Sequence, residues 1–175
     1  MMERLVLLVA SVIAAFLIAS GQGHPTWARD KAKLCETMKP AHGASAQPNS
    51  TFPDFFSLNA SAVAEEGGYY HVQLDALDKD VRILGYLIEA RDACTGEILS
   101  GNWNTAQADQ ILSCNAKNGV NAVHHRPRKA PAVTQVKHAW VPLNSVTSLN
   151  FMVSVVHKKD LFWVKESIEV VPCKN

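Results

Sequence analysis

Four cysteines, Cys35, Cys94, Cys114 and Cys173, are spread through the chain with no C-x-x-C pair among them. Even in number and far apart, they favour two disulfides over a metal knot or a redox dithiol, provided that the compartment is oxidising. The N-terminus argues for such a compartment. Met1 to Arg4 carry one positive side chain, and LVLLVASVIAAFLIAS from Leu5 to Ser20 is uncharged, with small residues near its end. This is the layout of a secretory signal peptide, and the run is short for a bilayer-spanning helix of roughly 20 residues. Cleavage is expected after Gly21 or Gly23, so residues 1–23 are read as the leader and 24–175 as one domain. A domain of that length can bury its own core. Three cysteine pairings remain open on spacing alone.

Charge narrows the partners. Seventeen Lys plus Arg face sixteen Asp plus Glu, a formal balance of +1. A nucleic-acid binder relying on phosphate neutralisation is excluded, as is an acidic disordered tail. Any electrostatic partner must meet a local patch. Two sequons, at Asn49 and Asn59, lie in a polar segment expected to be exposed and glycosylated.

From Pro25 to about Gly68 the chain reads as irregular, because four prolines interrupt it and Gly, Ser, Ala and Asn fill the gaps. No helix of ordinary length fits there, and Cys35 is the natural staple. Thereafter the period becomes two. Tyr70, Val72 and Leu74 share a face, and Val81 to Ala90 is nearly continuous apolar sequence suited to a central strand. Thr134, Val136, His138 and Trp140 alternate with their neighbours, as do Leu149, Phe151, Val153 and Val155, while Ile168 and Val170 share a face of a last strand. Six to eight short strands without an amphipathic helix predict an all-β, antiparallel sandwich.

Several ordered motifs go beyond pattern. Cys35-x-x-Met38-x-Pro40-x-His42-Gly43 resembles the opening of reeler domains, and Gly85-Tyr86-Leu87-Ile88-Glu89-Ala90-Arg91 resembles a strand of the same family. Ile111 to Cys114, Val123-His124-His125, Val136 to Pro142 and Phe162-Trp163-Val164 follow in the family's order. The resemblance implies an immunoglobulin-like β-sandwich with a long irregular N-terminal region. It also implies a Cys35 to Cys114 bridge, leaving Cys94 with Cys173; each would close a loop of about 80 residues, for roughly 4 kcal/mol in the chain-entropy treatment. Reeler domains also occur fused to DOMON and cytochrome b561 modules in ferric-reductase-like proteins, and neither companion is expected in this chain. Stand-alone relatives include insect defence proteins of antibacterial nodulation.

No G-x-S-x-G, H-E-x-x-H, phosphate-binding or dinucleotide-binding motif is present, so no enzymatic activity and no cofactor or metal are expected. A copper-dependent oxidative enzyme acting on polysaccharide is the weighed exception: with cleavage after Gly23, the amine and imidazole of His24, joined by His42, His124 or His125, would suit Cu(II). His42 is read either as a ligand contact or as a fastener of the N-terminal segment. Arg126, Arg128 and Lys129, with Lys158 if the loops meet, form the candidate patch for phosphate groups. Trp140 and Trp163 read as packing, whereas Trp27 and Trp103 read as loop residues able to contact sugar or acyl groups. The expectation is therefore a secreted innate-immunity protein that binds lipopolysaccharide, lipoteichoic acid or glucan, with antimicrobial or haemocyte-aggregating action. Its expected partners are microbial envelope components and haemocyte surface proteins. An extracellular adhesion or matrix-binding module is the alternative.

Overall fold

The computed structural model describes residues 31–41, 43–63, 68–105, 109–115, 119–125 and 131–174. Two antiparallel sheets face each other across a shared apolar interior. One has four strands in the order β1-β2-β7-β4, formed by Phe56–Val63, Tyr69–Ala76, Gln135–Pro142 and Gly101–Asn104. The other has five in the order β5-β6-β3-β8-β9, formed by Asp109–Asn115, Val120–His125, Gly85–Arg91, Leu149–Lys158 and Leu161–Val171. Non-neighbouring order within each sheet forces the chain to cross between them repeatedly.

The alternations explain which faces are buried. Val72 and Leu74 of β2, Val136 and Trp140 of β7, and Phe151, Val153 and Val155 of β8 all point into the shared interior. Trp140 sits at its centre, with its ring centroid 6.0 Å from Phe151 and 5.9 Å from Tyr70. That placement requires a glycine on the neighbouring strand β4: a Cβ at Gly101 would lie 2.2 Å from the Trp140 indole nitrogen. A second aromatic group gathers around Trp163, 4.9 Å from Phe55 and 5.5 Å from Phe56. Its indole N–H donates to Thr51 Oγ1 at 2.9 Å.

Strand β3 is buried on both faces, which accounts for its nearly unbroken apolar run. Tyr86, Ile88 and Ala90 face the shared interior. Leu87 faces outward and is covered by α1, Lys31–Thr37, through Leu34, Cys35 and Met38. Met38 ends that helix in the left-handed region, at φ 53°, with its N–H donating to the Leu34 carbonyl at 2.7 Å.

The N-terminal stretch is more regular than its composition suggests. Besides α1 it contains a 3-10 helix, Asn49–Asp54, and the whole of β1. The reason for β1 is tertiary: Asn, Ser and Ala have weak strand preference, yet the strand pairs along its full length with β2, from Phe56 opposite Ala76 to Val63 opposite Tyr69. With β4 and β5 also formed, nine strands are present among the described residues.

Candidate functional site

Beneath α1 lies a polar centre enclosed in apolar packing. Cys35 on α1 is bridged to Cys114 on β5, and Cys94, after β3, is bridged to Cys173, beyond β9. These are the pairs that the reeler resemblance implies. Beside the first bridge, Glu89 is completely buried and accepts from Arg91, whose Nη2 lies 2.6 Å from Oε2. Residues two apart on a strand share a face, so β3 itself creates this pair. Arg91 Nη2 also donates to the Cys35 carbonyl at 2.8 Å, and Nη1 to the Gly96 carbonyl at 2.7 Å. One guanidinium thus ties β3 to α1 and to the turn carrying Cys94.

The electrostatics of Glu89 are a contest between burial and charge. Burial pushes its carboxyl up to about 7, against the opposing pull of Arg91 and Lys165. Glu89 Oε1 is buried with no hydrogen-bond partner. The sulfurs of Cys35 and Cys114 and a Glu89 carboxylate oxygen lie within 4.8 Å of one another. While the sulfurs are joined they are not thiolates, and a metal does not fit the bridged centre. Once reduced, two thiolates and a carboxylate form a donor set suited to a borderline divalent ion.

The residues expected to bind ligand are only partly brought together. His24, Trp27, His42, Arg126, Arg128 and Lys129 lie outside the described residues. Lys158 ends β8 and is exposed, followed by the exposed Lys159. Strands β6 and β8 flank β3 and both run antiparallel to it, with Leu87 opposite His124 on one side and Ser154 on the other. The chain therefore leaves β6 at the end of the sheet toward which β8 carries Lys158. His157 Nδ1, 3.1 Å from the Arg82 amide nitrogen, brings Arg82 to the same end.

Trp103 departs from its reading as a loop residue. It belongs to β4, is 8% exposed, packs 5.9 Å from Phe151, and donates its indole N–H to the Asn121 carbonyl at 3.2 Å. The alternation Gly101, Asn102, Trp103, Asn104, buried and exposed in turn, is the signal for a strand. Asn49 and Asn59 are both exposed, the first opening the 3-10 helix and the second within β1. Sequence reasoning passed over Glu89 and Arg91, although a carboxylate and a guanidinium two apart in an apolar strand announce a buried pair.

A disulfide-stapled, two-sheet β-sandwich with a buried ion pair beside one bridge defines the class of this protein. The family model for the Reeler domain matches residues 33–175, and the chain belongs to that family. It is 24% identical over 162 residues to "Putative ferric-chelate reductase 1 homolog" of Drosophila melanogaster, covering 89% of this chain and 25% of the relative. It is 28% identical to ferric-chelate reductase 1 of Bos taurus over 140 residues, covering 76% and 22%. The chain thus spans a quarter or less of these curated relatives. The human F-spondin reeler domain superposes with a TM-score of 0.50 at 14% identity, over 73% of this chain and 93% of that one, and shows the same fold.

These findings correct the expectation of a chain with no enzymatic side. The curated proteins that it matches are named putative ferric-chelate reductase or ferric-chelate reductase, and Cys35, Glu89 and Cys114 hold within 4.8 Å of one another atoms that could ligate a metal once the disulfide is opened. No helix among the described residues is long and apolar enough to cross a membrane.

Proposed function

We propose that this chain is an extracellular adhesion or matrix-binding module that holds polyanionic surfaces at one end of its five-stranded sheet. The observation that supports this reading is the pair of exposed lysines, Lys158 and Lys159, at the end of the sheet where β6 also ends, at His125; Arg126, Arg128 and Lys129 follow His125 in the sequence. Membership of the reeler family and two disulfides, which persist in oxidising compartments, support an extracellular site of action. The leader over residues 1–23 would deliver the chain to it.

Lysine and arginine bind sulfate and phosphate alike, the arginine through a bidentate fork. Matrix glycans and microbial envelopes therefore offer related chemistry to the same end of the domain. Lipopolysaccharide or lipoteichoic acid is the second reading, favoured by the phosphate-matching composition of the 126–129 run. Haemocyte aggregation would follow if one molecule bridged cell and microbe.

The test is binding of the purified chain to a sulfated glycosaminoglycan, lipopolysaccharide, lipoteichoic acid and β-glucan at two salt concentrations. Beside it stand two variants, one with Lys158 and Lys159 changed to Ala and one with Arg126, Arg128 and Lys129 changed to Ala. Salt-weakened binding to the sulfated glycan that both variants lose supports the matrix reading. The same pattern confined to the two phosphate-bearing envelopes supports the microbial one. Binding that neither variant weakens rejects both.

A further inference from the structure

The four-stranded sheet ends at β1 and the five-stranded sheet ends at β9, and the two edges meet against the 3-10 helix. A groove of about 460 Å³ opens there, lined chiefly by Phe52, Pro53, Leu58, Leu77, Ile168 and Glu166. Its volume and mostly apolar walls with one acidic group fall within the range of small-molecule sites. No Lys, Arg or His is among the described residues that line it.

Glu166 reaches this groove through a break in the alternation of β9. Trp163 stands opposite Val155, and Glu166 opposite Val153. One residue separates the partners on β8, while two, Val164 and Lys165, separate them on β9. This is a β-bulge, and bulges re-aim side chains. Strict alternation from Trp163 would have turned Lys165 inward; the extra residue turns Glu166 to the core-facing side instead. The turn is made at Lys165, which adopts φ 63°, a left-handed conformation unfavourable for a residue with a side chain. Its N–H donates to Ser154 Oγ at 3.2 Å, which holds the bulge in place.

The carboxyl so placed is incomplete. Glu166 Oε1 is buried and has no hydrogen-bond partner. Partial burial pushes this carboxyl up to about 7, with no charged neighbour among the described residues opposing the rise. An inward charge on an edge strand also discourages pairing with other sheets, but such a guard requires neither a groove nor a strained lysine. An ammonium group supplies what this carboxylate lacks, a donor and a countercharge together.

We propose that the groove binds a small apolar molecule carrying a protonated amine, its ammonium donating to Glu166 and its hydrocarbon lying along Phe52, Leu58, Leu77 and Ile168. The probe is decylammonium, titrated into the full chain by calorimetry and followed through backbone amide shifts, with decanol and decanoate beside it. Saturable one-to-one binding is expected, with shifts confined to the 3-10 helix, β1 and β9. Decanol binding, and decylammonium binding to Glu166→Gln, should each be weaker by about tenfold. Leu77→Arg, a change at an exposed position, should abolish binding by setting a cation of the chain's own against Glu166. Equal affinity for decanol, unchanged affinity in Glu166→Gln, or shifts elsewhere would overturn the proposal. So would self-association of Glu166→Gln with binding intact, which would make the carboxyl an edge guard.

Discussion

Two regions of this molecule treat a carboxyl in opposite ways. Beneath α1, Glu89 is fully enclosed and held by Arg91, which also grips the backbone of Cys35 and Gly96. At the meeting of β1 and β9, Glu166 is half-buried and no cation lies against it among the described residues. Burial lifts both carboxyls to about 7. The first is a structural junction because its partner comes from the same strand, and so forms whenever β3 forms. The second depends on a bulge to face inward and leaves its buried Oε1 without a hydrogen-bond partner among the described residues.

Breaking the junction should cost most. Removing the Cys35 to Cys114 bridge by double substitution to Ala should lower unfolding free energy by about 4 kcal/mol, read from urea unfolding. The Cys94 to Cys173 bridge has the same sequence separation of 79 residues, so the chain-entropy contribution is equal. A larger loss for the first bridge would then measure the docking of α1 and the ion pair. Arg91→Met removes the cation that holds the Glu89 carboxyl down, so Glu89 takes up a proton at neutral pH, and the loss of the pair with its bonds to Cys35 and Gly96 should cost about 3 kcal/mol.

Gly101→Ala should cost about 2 kcal/mol, because its Cβ must displace the Trp140 indole; near-ultraviolet dichroism reports that shift directly. Glu166→Gln has the smallest effect, and its sign changes how stability depends on pH. A carboxyl whose folded pKa is about 7, against an ordinary 4.5, binds more protons in the folded than in the unfolded state between those values. Its contribution therefore declines as pH rises from about 4.5 to about 7. The variant should lose its share of that decline and retain the share belonging to Glu89, as urea midpoints at pH 5 and pH 8 would show.

How far the sequence discloses these regions depends on the residues concerned. Strands β2, β7 and β8 declare themselves through alternation of large apolar and polar side chains, and β3 through an apolar run that only burial on both faces can satisfy. Strand β1 does not, because Asn59, Ala60, Ser61 and Ala62 carry little strand preference and owe their conformation to β2. The bulge at Lys165 is equally silent, since nothing in a lysine marks a left-handed backbone. Glu89 and Arg91 were legible as a pair, but not the fact that α1 and a disulfide would close over them. For the candidate ligand residues, the common direction of β6 and β8 emerges only from the strand order.

The two bridges also interleave along the chain, and this has a mechanical consequence. A pull applied at residue 35 and at residue 173 would cross the first bridge to Cys114, return along the twenty residues to Cys94, and leave by the second bridge. Only that inner segment, which contains β4 and all but the last residue of β5, can pay out. However far the sandwich is torn, the bridged domain can stretch to no more than about 80 Å between those points, the extended segment and the two bridges together, which makes it a short and covalently limited tether.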